Sequence, residues 1–373
     1  MSRKLPRETD VFIVGGGPAG LAAAIAARQR GFEVVVADGN EPPIDKACGE
    51  GFLPDGLAAM ERLGIHLPVS EGRPFRGIRF LSRSLSAEAV FPGGESGLAL
   101  RRTSLHRLMV ERAQQLGATL SWRTAVTGIS EGEVHLSDRI VRARWIIGAD
   151  GSNSRVRRWA GLDRGAKPRL RYAFRRHYHV APWTDHMEVY WGDRCQGYTA
   201  AVNSEQVCVA LASHDPNLRL DEGLKTLPGL QARLQNAEII SSVRGALTGN
   251  RSFDRVWKGN VALIGDASGT VDAITGEGIG LAFSQALALA EGLESSDLVG
   301  YHNEHRKLMR RPLWMARLML NLDGRPRLQH RTLQAFQKRP ELFRHLLALH
   351  LGALPPLHAV RDGLSLGWGL LTA

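Results

Sequence analysis

The chain has 373 residues, of which 43% are hydrophobic and 23% charged, and these values exclude disordered, collagen-like and disulfide-scaffold proteins. Its length predicts two domains, with room for a small third one. No run of about 18 uncharged apolar residues is present, which argues against a transmembrane protein. The three cysteines, Cys48, Cys195 and Cys208, are too scattered for a disulfide framework or a zinc site. We therefore expect no bound metal. Because the N-terminus is polar, we also expect a location in the reducing cytoplasm.

The net charge of +11 is concentrated at one end of the chain. Residues 301–373 carry 12 Lys and Arg against 4 Asp and Glu. A basic tail can meet nucleic acid, anionic lipid or an anionic substrate, but no nucleic-acid motif accompanies it and we expect no nucleic-acid partner. Phe343–Leu351 is apolar with cationic insertions. We expect a monomer or a homodimer. The 343–351 segment predicts a helix that docks on its own domain or on a partner subunit, and peripheral membrane contact is the alternative.

The first predicted unit is a strand, a glycine turn, a helix and a second strand. These elements are Val11–Val14, Gly15–Gly20, Leu21–Arg30 and Glu33–Asp38. Gly15 permits the tight turn, Gly17 lets a pyrophosphate approach the backbone, and Gly20 allows close packing of the helix. Free N–H groups at the start of the helix favour phosphate. Asp38 is placed to accept hydrogen bonds from an adenosine ribose, so the unit predicts dinucleotide binding.

Buried and alternating elements follow one another along the rest of the chain. Helices are predicted for Leu105–Leu116 and Gly278–Leu293, buried parallel strands for Trp145–Ala149 and Val261–Ile264, and other strands for 119–126, 133–136, 140–144 and parts of 169–212. After Tyr301 the chain is helical and interrupted by prolines at Pro312, Pro326, Pro340 and Pro355-Pro356. This order predicts a nucleotide-binding domain of 8–75, 100–165 and 255–300, an inserted sheet domain of 76–99 and 166–254, and a C-terminal helical region of 301–373.

Several later motifs resemble those of known flavoproteins. Gly148–Arg157 looks like the Asp-Gly motif of flavin-dependent aromatic hydroxylases of the p-hydroxybenzoate hydroxylase type, and Gly265–Ser268 looks like their second FAD fingerprint. Thr275–Gly280 resembles the glycine loop below the isoalloxazine ring in geranylgeranyl reductases and flavin halogenases, and Lys46–Gly51 resembles the reductases' Cys-Gly segment. The resemblance implies an α/β fold with a glutathione-reductase-type, Rossmann-like FAD-binding domain, an inserted antiparallel-sheet substrate domain and C-terminal helices.

The resemblance also assigns cofactor contacts. It gives the ribityl chain to Asp266 and the diphosphate to Arg102, with Arg101 as the alternative. The complete predicted set is Gly15, Gly17, Pro18, Ala19, Gly20, Asp38, Cys48, Gly49, Arg102, Val126, Asp150, Gly265, Asp266, Gly276, Gly278 and Ile279. Amides of the 275–280 loop would face the flavin edge that gains negative charge on reduction. Only one dinucleotide motif is present, so NAD(P)H is expected to act as a transient reductant at the surface.

Two flavin chemistries compete, and the sequence favours hydroxylation. In the hydroxylases, a C4a-hydroperoxyflavin formed with O2 transfers oxygen to an electron-rich substrate, whereas prenyl reductases deliver a hydride to an alkene. The reductases carry a Tyr-x-Trp-x-Phe-Pro signature, but residues 198–203 read Tyr-Thr-Ala-Ala-Val-Asn, and the halogenase Trp-x-Trp-x-x-Pro signature is missing. We expect a monooxygenase of specialised metabolism acting on a hydrophobic aromatic or polyketide-like substrate. Reduction of prenyl-lipid double bonds is the alternative, and a non-catalytic prenyl-binding escort protein is the alternative of another class.

A small set of side chains is expected to act beside the flavin. Cys48 is predicted to tune the ring or to fill a tight space next to it. His177 and His179 alternate on a predicted strand, share a face and suit a base near neutral pH. Tyr198 is the fourth candidate catalytic residue. Four further residues complete the candidate pocket: Arg76, Arg79, Tyr190 and Trp191.

Overall fold

The computed structural model describes residues 5–68, 71–83, 85–165 and 169–354, and its mixed α/β architecture confirms the predicted fold class. The strands are β1 Glu8–Val14, β2 Val34–Ala37, β3 Gly51–Phe52, β4 Arg73–Phe75, β5 Gly77–Ser82, β6 Leu85–Val90, β7 Gly97–Ala99, β8 Thr119–Ser121, β9 Val126–Ser130, β10 Glu133–Leu136, β11 Ile140–Gly148, β12 Arg171–His179, β13 Met187–Trp191, β14 Gln196–Ala201, β15 Gln206–Ser213, β16 Glu238–Ile239, β17 Arg244–Thr248, β18 Trp257–Lys258 and β19 Val261–Leu263. The helices are α1 Pro18–Gln29, α2 Pro54–Arg62, α3 Arg102–Gln115, α4 Arg155–Trp159, α5 Leu220–Lys225, α6 Pro228–Leu234, α7 Gly278–Glu294, α8 Leu298–Leu322, α9 Pro326–Lys338 and α10 Pro340–His350.

The first sheet is built around the buried strands that the sequence predicts. Its order is β18–β19–β11–β1–β2–β8, and β1 runs parallel to both β11 and β2. Residues 140–144 and 145–149, predicted as separate strands, form the single long strand β11, because its first half pairs with β10 and its second half with β19. The carboxyl ends of β1, β2, β11 and β19 meet at one edge, where α/β proteins bind their ligands.

Helices α1, α3 and α7 form one apolar core with this sheet. Phe12 and Ile13 of β1, Leu21 of α1 and Phe283 of α7 are fully buried in it. α1 is rich in alanine and has Pro18 in its first turn. It ends just before Gly31, whose positive φ is the conformation in which glycine commonly terminates a helix. Local composition and burial therefore agree for the helix that opens the predicted dinucleotide site.

The second sheet has the order β16–β12–β15–β14–β13–β5–β6, with β17 also paired to β12. All of its pairs are antiparallel except β5 with β13, so the predicted antiparallel sheet contains one parallel pair. The parallel pair arises because β5 and β13 come from separate stretches of chain, between which the chain returns to the first sheet. A small third sheet, β3–β7–β4, is also present. The domain boundaries themselves stay a prediction.

The C-terminal helices cover one face of the second sheet. Phe343 of α10 stacks on Phe336 of α9 with ring centroids 4.8 Å apart and lies 5.4 Å from the ring of Phe80 on β5. The apolar side of the 343–351 segment is thus used against the protein. Contrary to the prediction, Pro312 does not interrupt a helix but is buried inside α8. Pro326 and Pro340 begin α9 and α10. Pro355-Pro356 lies outside the described residues, and within them no helix has the length and apolar character needed to cross a membrane.

Candidate functional site

The three glycines of the turn after β1 have different surroundings. Gly15 has a φ of +111°, and a Cβ there would lie 2.4 Å from the carbonyl oxygen of Ala149. A Cβ at Gly20 would lie 1.8 Å from the carbonyl oxygen of Gly15, so this glycine lets α1 pack directly on the turn. A Cβ at Gly17 would meet no atom within 4 Å. The first and third glycines are thus needed for packing, whereas the second leaves the start of α1, with Pro18 in its first turn, open to a ligand.

The acid at the end of β2 is tied to the same turn. The Gly16 N–H donates to Asp38 Oδ2 at 2.7 Å, and His106 Nε2 lies 2.9 Å from the Gly16 carbonyl oxygen. Since a carbonyl only accepts, the imidazole donates this hydrogen bond from Nε2. Burial lowers the pKa of His106 and favours its neutral form. Sequence reasoning missed His106, because no local pattern marks a helix residue that reaches a turn 90 positions away.

The other predicted cofactor segments end beside this turn. A Cβ at Gly265 would lie only 2.6 Å from the Cβ of Ala19, which brings the 265–268 turn against the start of α1. Asp266 is exposed to a cleft between the turns. The surrounding protein raises the pKa of its carboxyl group, while Lys46 and Arg102 act to lower it. An acid and two cations therefore face one space, which we call the cofactor cleft.

The cofactor cleft has the free backbone and the polar groups that FAD requires. In the predicted cofactor segments, four glycines are open, since a Cβ there would meet no atom within 4 Å: Gly17, Gly49, Gly276 and Gly278. Asp150 uses Oδ2 to accept the Arg155 N–H at 2.7 Å, at the start of α4. Among the described residues, the buried Oδ1 of Asp150 and Nε of Arg102 have no hydrogen-bond partner. Such groups suit the hydroxyls and phosphates of a dinucleotide, so the residues present fit FAD.

Three of the predicted cofactor contacts, Val126, Ile279 and Cys48, have buried or half-buried side chains. Val126 lies in the apolar core at the start of β9, so its backbone is the part available to a ligand, and the predicted contact stays a prediction. Ile279 is half-buried in the first turn of α7. Cys48 is half-buried beside Gly49, and burial raises the pKa of its thiol although Arg102 lowers it. Cys48 is thus a neutral thiol at neutral pH, which favours a packing role over a reactive thiolate.

Residues 8–216 match the family model described as FAD binding domain, which covers more than half of the chain. The chain belongs to this family. The cofactor of this FAD-binding protein is accordingly FAD, and the protein is a flavin-dependent oxidoreductase.

Similar proteins agree with this assignment. The chain is 28% identical to the digeranylgeranylglycerophospholipid reductase of Methanosarcina acetivorans, over 72% of this chain and 71% of the relative. It is also 28% identical to the menaquinone reductase of Mycolicibacterium smegmatis, over 78% of each chain. Among solved structures, a flavoprotein/dehydrogenase from Cytophaga hutchinsonii superposes with a TM-score of 0.78 at 17% identity, covering 92% of this chain and 93% of that one. The last comparison shows the shared fold.

The sequence predicted His177 as a base beside the flavin, but in the structure its side chain does not face the cofactor cleft. Its side chain is fully buried, and Nε2 lies 2.6 Å from Glu50 Oε2. Arg175 lies 3.2 Å from Nδ1 and can only donate, so the imidazole proton is on Nε2 and points to Glu50. The other Glu50 oxygen accepts the Arg102 N–H at 3.0 Å. His177 therefore holds the Cys48–Glu50 loop in place, and the expectation of a catalytic base is corrected to a positioning role.

This anchor explains an unusual backbone conformation. Glu50 is buried and has a φ of +59°, in the left-handed region that costs a residue with a side chain about 1–3 kcal/mol. Oxygen, nitrogen and sulfur atoms of Glu50, His177 and Cys208 lie within 4.8 Å of one another, as metal ligands do. Because both His177 nitrogens already have hydrogen-bond partners, we assign the cluster to structure.

The other predicted pocket residues are used within the second sheet. His179 is exposed near the end of β12, away from the buried His177. Tyr190 donates to Glu188 at 2.6 Å on the sheet face under α5 and α6, while Trp191 packs on Phe80 on the opposite face. Two arginines pair with acids of the sheet and its connections, namely Arg76 with Asp185 and Arg79 with Glu88. Opposite charges across neighbouring strands thus account for the arginines without a ligand.

A buried polar cluster lies next to the glycine loop, and the sequence did not reveal it. Arg171 of β12 donates to Asp272 Oδ1 at 2.8 Å and to Gln196 Oε1 at 3.0 Å. The Tyr198 hydroxyl donates to the same Gln196 oxygen at 2.6 Å, and burial raises its pKa well above the usual range. Only the 3-10 turn of residues 273–275 separates Asp272 from Gly276. We call Arg171, Gln196, Tyr198 and Asp272 the polar cluster.

A second buried acid, Glu277, belongs to the glycine loop itself. Burial, with the nearby Asp55 carboxylate, raises the pKa of Glu277 to about 8, although Arg311 lowers it. His350 Nε2 lies 3.7 Å from Glu277 Oε2, and burial with the Arg311 charge lowers the pKa of His350 to about 4. These values make the contact a neutral acid beside a neutral imidazole at pH 7, not an ion pair. Glu277 and Arg311 also line a cavity of about 50 Å³ with Gly276.

Replacing Gly17 by valine should remove FAD without unfolding the protein. The new side chain would project into the cofactor cleft, where it meets no protein atom but occupies the space of a phosphate. We expect flavin absorbance per purified protein to fall at least about 10-fold, with unchanged far-ultraviolet circular dichroism. Gly128→Val on β9, where a Cβ has only an ordinary contact at 3.9 Å, is the matched control. Normal flavin content in Gly17→Val would contradict the placement of the phosphates.

Replacing His177 by phenylalanine should destabilise the protein and loosen FAD. It leaves the buried Glu50 carboxylate without its imidazole donor, which costs at least about 1–3 kcal/mol. Thermal unfolding and flavin release measure the effect, and His179→Ala is the exposed control that should change neither. A His177→Phe protein with normal stability and flavin content but no turnover would instead support a catalytic base.

The Glu277 carboxyl should make stability depend on pH. Its pKa is raised on folding, so its contribution is complete below its pKa in the unfolded chain and is lost as the pH rises to about 8. Relative to Glu277→Gln, the native protein should therefore lose roughly 1.4 kcal/mol of unfolding free energy per pH unit between about pH 5 and 8, and then no more. Urea unfolding at several pH values measures this difference. A difference that stays constant over this range would show that Glu277 is ionised in the folded protein.

Proposed function

We propose that the protein is an NAD(P)H-dependent flavin monooxygenase that hydroxylates a hydrophobic aromatic or polyketide-like substrate carrying a phenolic hydroxyl. The reaction consumes NAD(P)H, a proton and O2, and it yields NAD(P)+, water and a product with one added oxygen atom. Bound and reduced FAD would supply the electrons and activate the oxygen. The remaining work of binding, orienting and shielding the substrate belongs to residues of this chain.

The observation that carries the proposal is the polar cluster. Within the described part of the chain, Asp272 Oδ2 and Gln196 Nε2 are buried and have no hydrogen-bond partner. A carboxylate acceptor beside an amide donor is the pair that a phenolic hydroxyl satisfies, since it donates one hydrogen bond and accepts another. Unpaired buried groups of this kind are costly unless a ligand uses them. A purely hydrocarbon substrate would leave both atoms unpaired.

The surroundings of the polar cluster suit the apolar part of such a substrate. The face of the second sheet that meets the C-terminal helices is apolar and carries Ala200 and Val202, with Ile274 of the neighbouring turn and Met315 and Met319 of α8. Methionine side chains adapt readily to different apolar shapes. A substrate held by its hydroxyl at the polar cluster would lay its hydrophobic portion on this surface, away from water.

Polar residues of the cluster would also act on the substrate proton. Arg171 and Asp323 lie close to Asp272, and together they keep one cation and two acids in a buried setting. Asp272 would accept the phenolic hydrogen bond and so make the ring more electron-rich for oxygen transfer. Tyr198 would fix the orientation of the Gln196 amide, because its hydroxyl donates to the amide oxygen and leaves the NH2 group toward the substrate.

The second candidate function is reduction of a prenyl-lipid double bond. It is favoured by the two similar proteins described above, which are reductases at 28% identity over about three quarters of this chain. Alkene reduction needs a proton as well as a hydride, and the neutral Glu277 carboxyl is a buried acid near the glycine loop. Residues 198–203 argue against reduction, because they lack the Trp, Phe and Pro of the prenyl-reductase signature.

One assay separates the two functions. The purified holoenzyme is supplied with NADPH or NADH and a panel of alkylated phenols and prenyl lipids, with and without oxygen. We expect phenol-dependent O2 uptake that matches NAD(P)H oxidation, and incorporation of labelled oxygen into the product by mass spectrometry. Loss of a prenyl double bond without oxygen would overturn hydroxylation in favour of reduction. A protein without any NAD(P)H oxidation that still binds prenyl lipid would support the escort alternative.

Tyr198→Phe tests the polar cluster in the same assay. Loss of one buried hydrogen bond should raise the KM for phenol roughly 10-fold and leave NAD(P)H oxidation without substrate unchanged. Tyr190→Phe is the matched control, because its hydroxyl bonds to Glu188 on the opposite face of the sheet. Equal effects of the two variants would show that the cluster does not contact the substrate.

A further inference from the structure

Helix α8 has one exposed face with an unusual composition. Its exposed positions include Arg306, Arg310, Trp314 and Arg317. At 100° per residue these four side chains fall within an arc of about 80°, and along the axis they extend over about 17 Å. We call them the α8 stripe. Three cations surround one large aromatic ring on this stripe.

The charges of the α8 stripe are not neutralised by the protein. In the described part of the chain, no carboxylate forms an ion pair with Arg306, Arg310 or Arg317, whereas the neighbouring Lys307 pairs with Glu304 at 2.9 Å. The ends of the face carry the uncharged Asn303 and Asn321. Three like charges within two or three turns repel one another and so favour an anionic partner.

Trp314 distinguishes this face from an ordinary solvated one. Its side chain is 44% exposed, although the next residues, Met315 and Ala316, are buried in the contact with the second sheet. Tryptophan at a solvent-exposed helix position is unfavourable in water but is enriched where a protein meets the polar headgroups of a membrane. Arginine side chains beside it match lipid phosphates, with which guanidinium groups form paired hydrogen bonds.

A second basic element continues from the end of α8. Arg325, in the link from α8 to α9, and Arg327, in the first turn of α9, line a surface concavity of about 610 Å³ together with Arg83. Both arginines are exposed. α10, the segment whose composition suggested an interfacial helix, cannot play that part with its apolar side, because Phe343 and Leu347 are buried against the sheet and α9.

We propose that the α8 stripe binds the surface of a membrane that contains anionic lipids, with Trp314 at the level of the headgroups and the arginines on lipid phosphates. Each arginine near such a surface strengthens binding, and salt weakens this electrostatic attraction. An arrangement of cations around an aromatic ring favours a lipid surface over nucleic acid, for which no recognition motif is present. The inference goes beyond the proposed function and holds for either flavin chemistry.

Flotation of the holoenzyme with vesicles tests the proposal. We expect the protein to float with vesicles of phosphatidylcholine and about one third phosphatidylglycerol, and not with phosphatidylcholine alone, with binding that decreases at high salt. Arg310→Glu with Arg317→Glu should reduce the bound fraction at least about 10-fold, and Trp314→Ala several-fold. Flavin content and circular dichroism of each variant show that the fold is kept.

A matched charge reversal provides the control. Arg139→Glu with Arg142→Glu changes the net charge by the same amount at exposed positions of β11 and the turn before it, and it should leave vesicle binding close to normal. The proposal fails if the native protein does not float with anionic vesicles, or if both double variants lose binding equally. It also fails if the α8 double variant changes only the oligomeric state or the binding of a DNA duplex.

Discussion

The contact between the start of α1 and the turns beside it is the constraint on which the site depends. Gly20 meets the Gly15 carbonyl and Ala19 meets Gly265, at distances that leave no room for another side chain. This packing fixes the helix N-terminus relative to the ends of β1, β11 and β19. The free amides of the helix and the acid on the 265–268 turn are thereby presented to one cleft. A single set of backbone approaches thus determines both the packing of the first domain and the place of the cofactor.

Those approaches were predictable from the sequence because each is written locally. A glycine spacing after a run of β-branched residues, and an acid at the end of the next strand, report on the backbone of their own segment. The prediction of the fold class and of FAD succeeded for this reason. The interruption predicted at Pro312 failed because tertiary packing outweighs the poor fit of proline in a helix interior.

The polar interactions of the site were not predictable in the same way. Asp272 meets Arg171 across 101 positions, and Glu50 meets His177 across 127. No spacing links such partners, since only the packing of the second sheet against the glycine loop brings them together. His177 looked like a base because its alternation with His179 gave a face but not its direction. The face proved to be partly buried, and a buried imidazole between a carboxylate and a guanidinium orients its neighbours.

The C-terminal helices divide apolar and cationic residues differently between their buried and exposed sides. The sequence contains both apolar and cationic residues in 343–351, yet the apolar ones lie against the sheet and α9, which bury them. On α8 the same requirement is met by Met315 and Met319, so the arginines and Trp314 are left on the outer side. An amphipathic helix has one apolar side to use. Once the protein uses it, any further surface affinity must come from what the opposite side carries, and on α8 that is positive charge around an exposed aromatic ring.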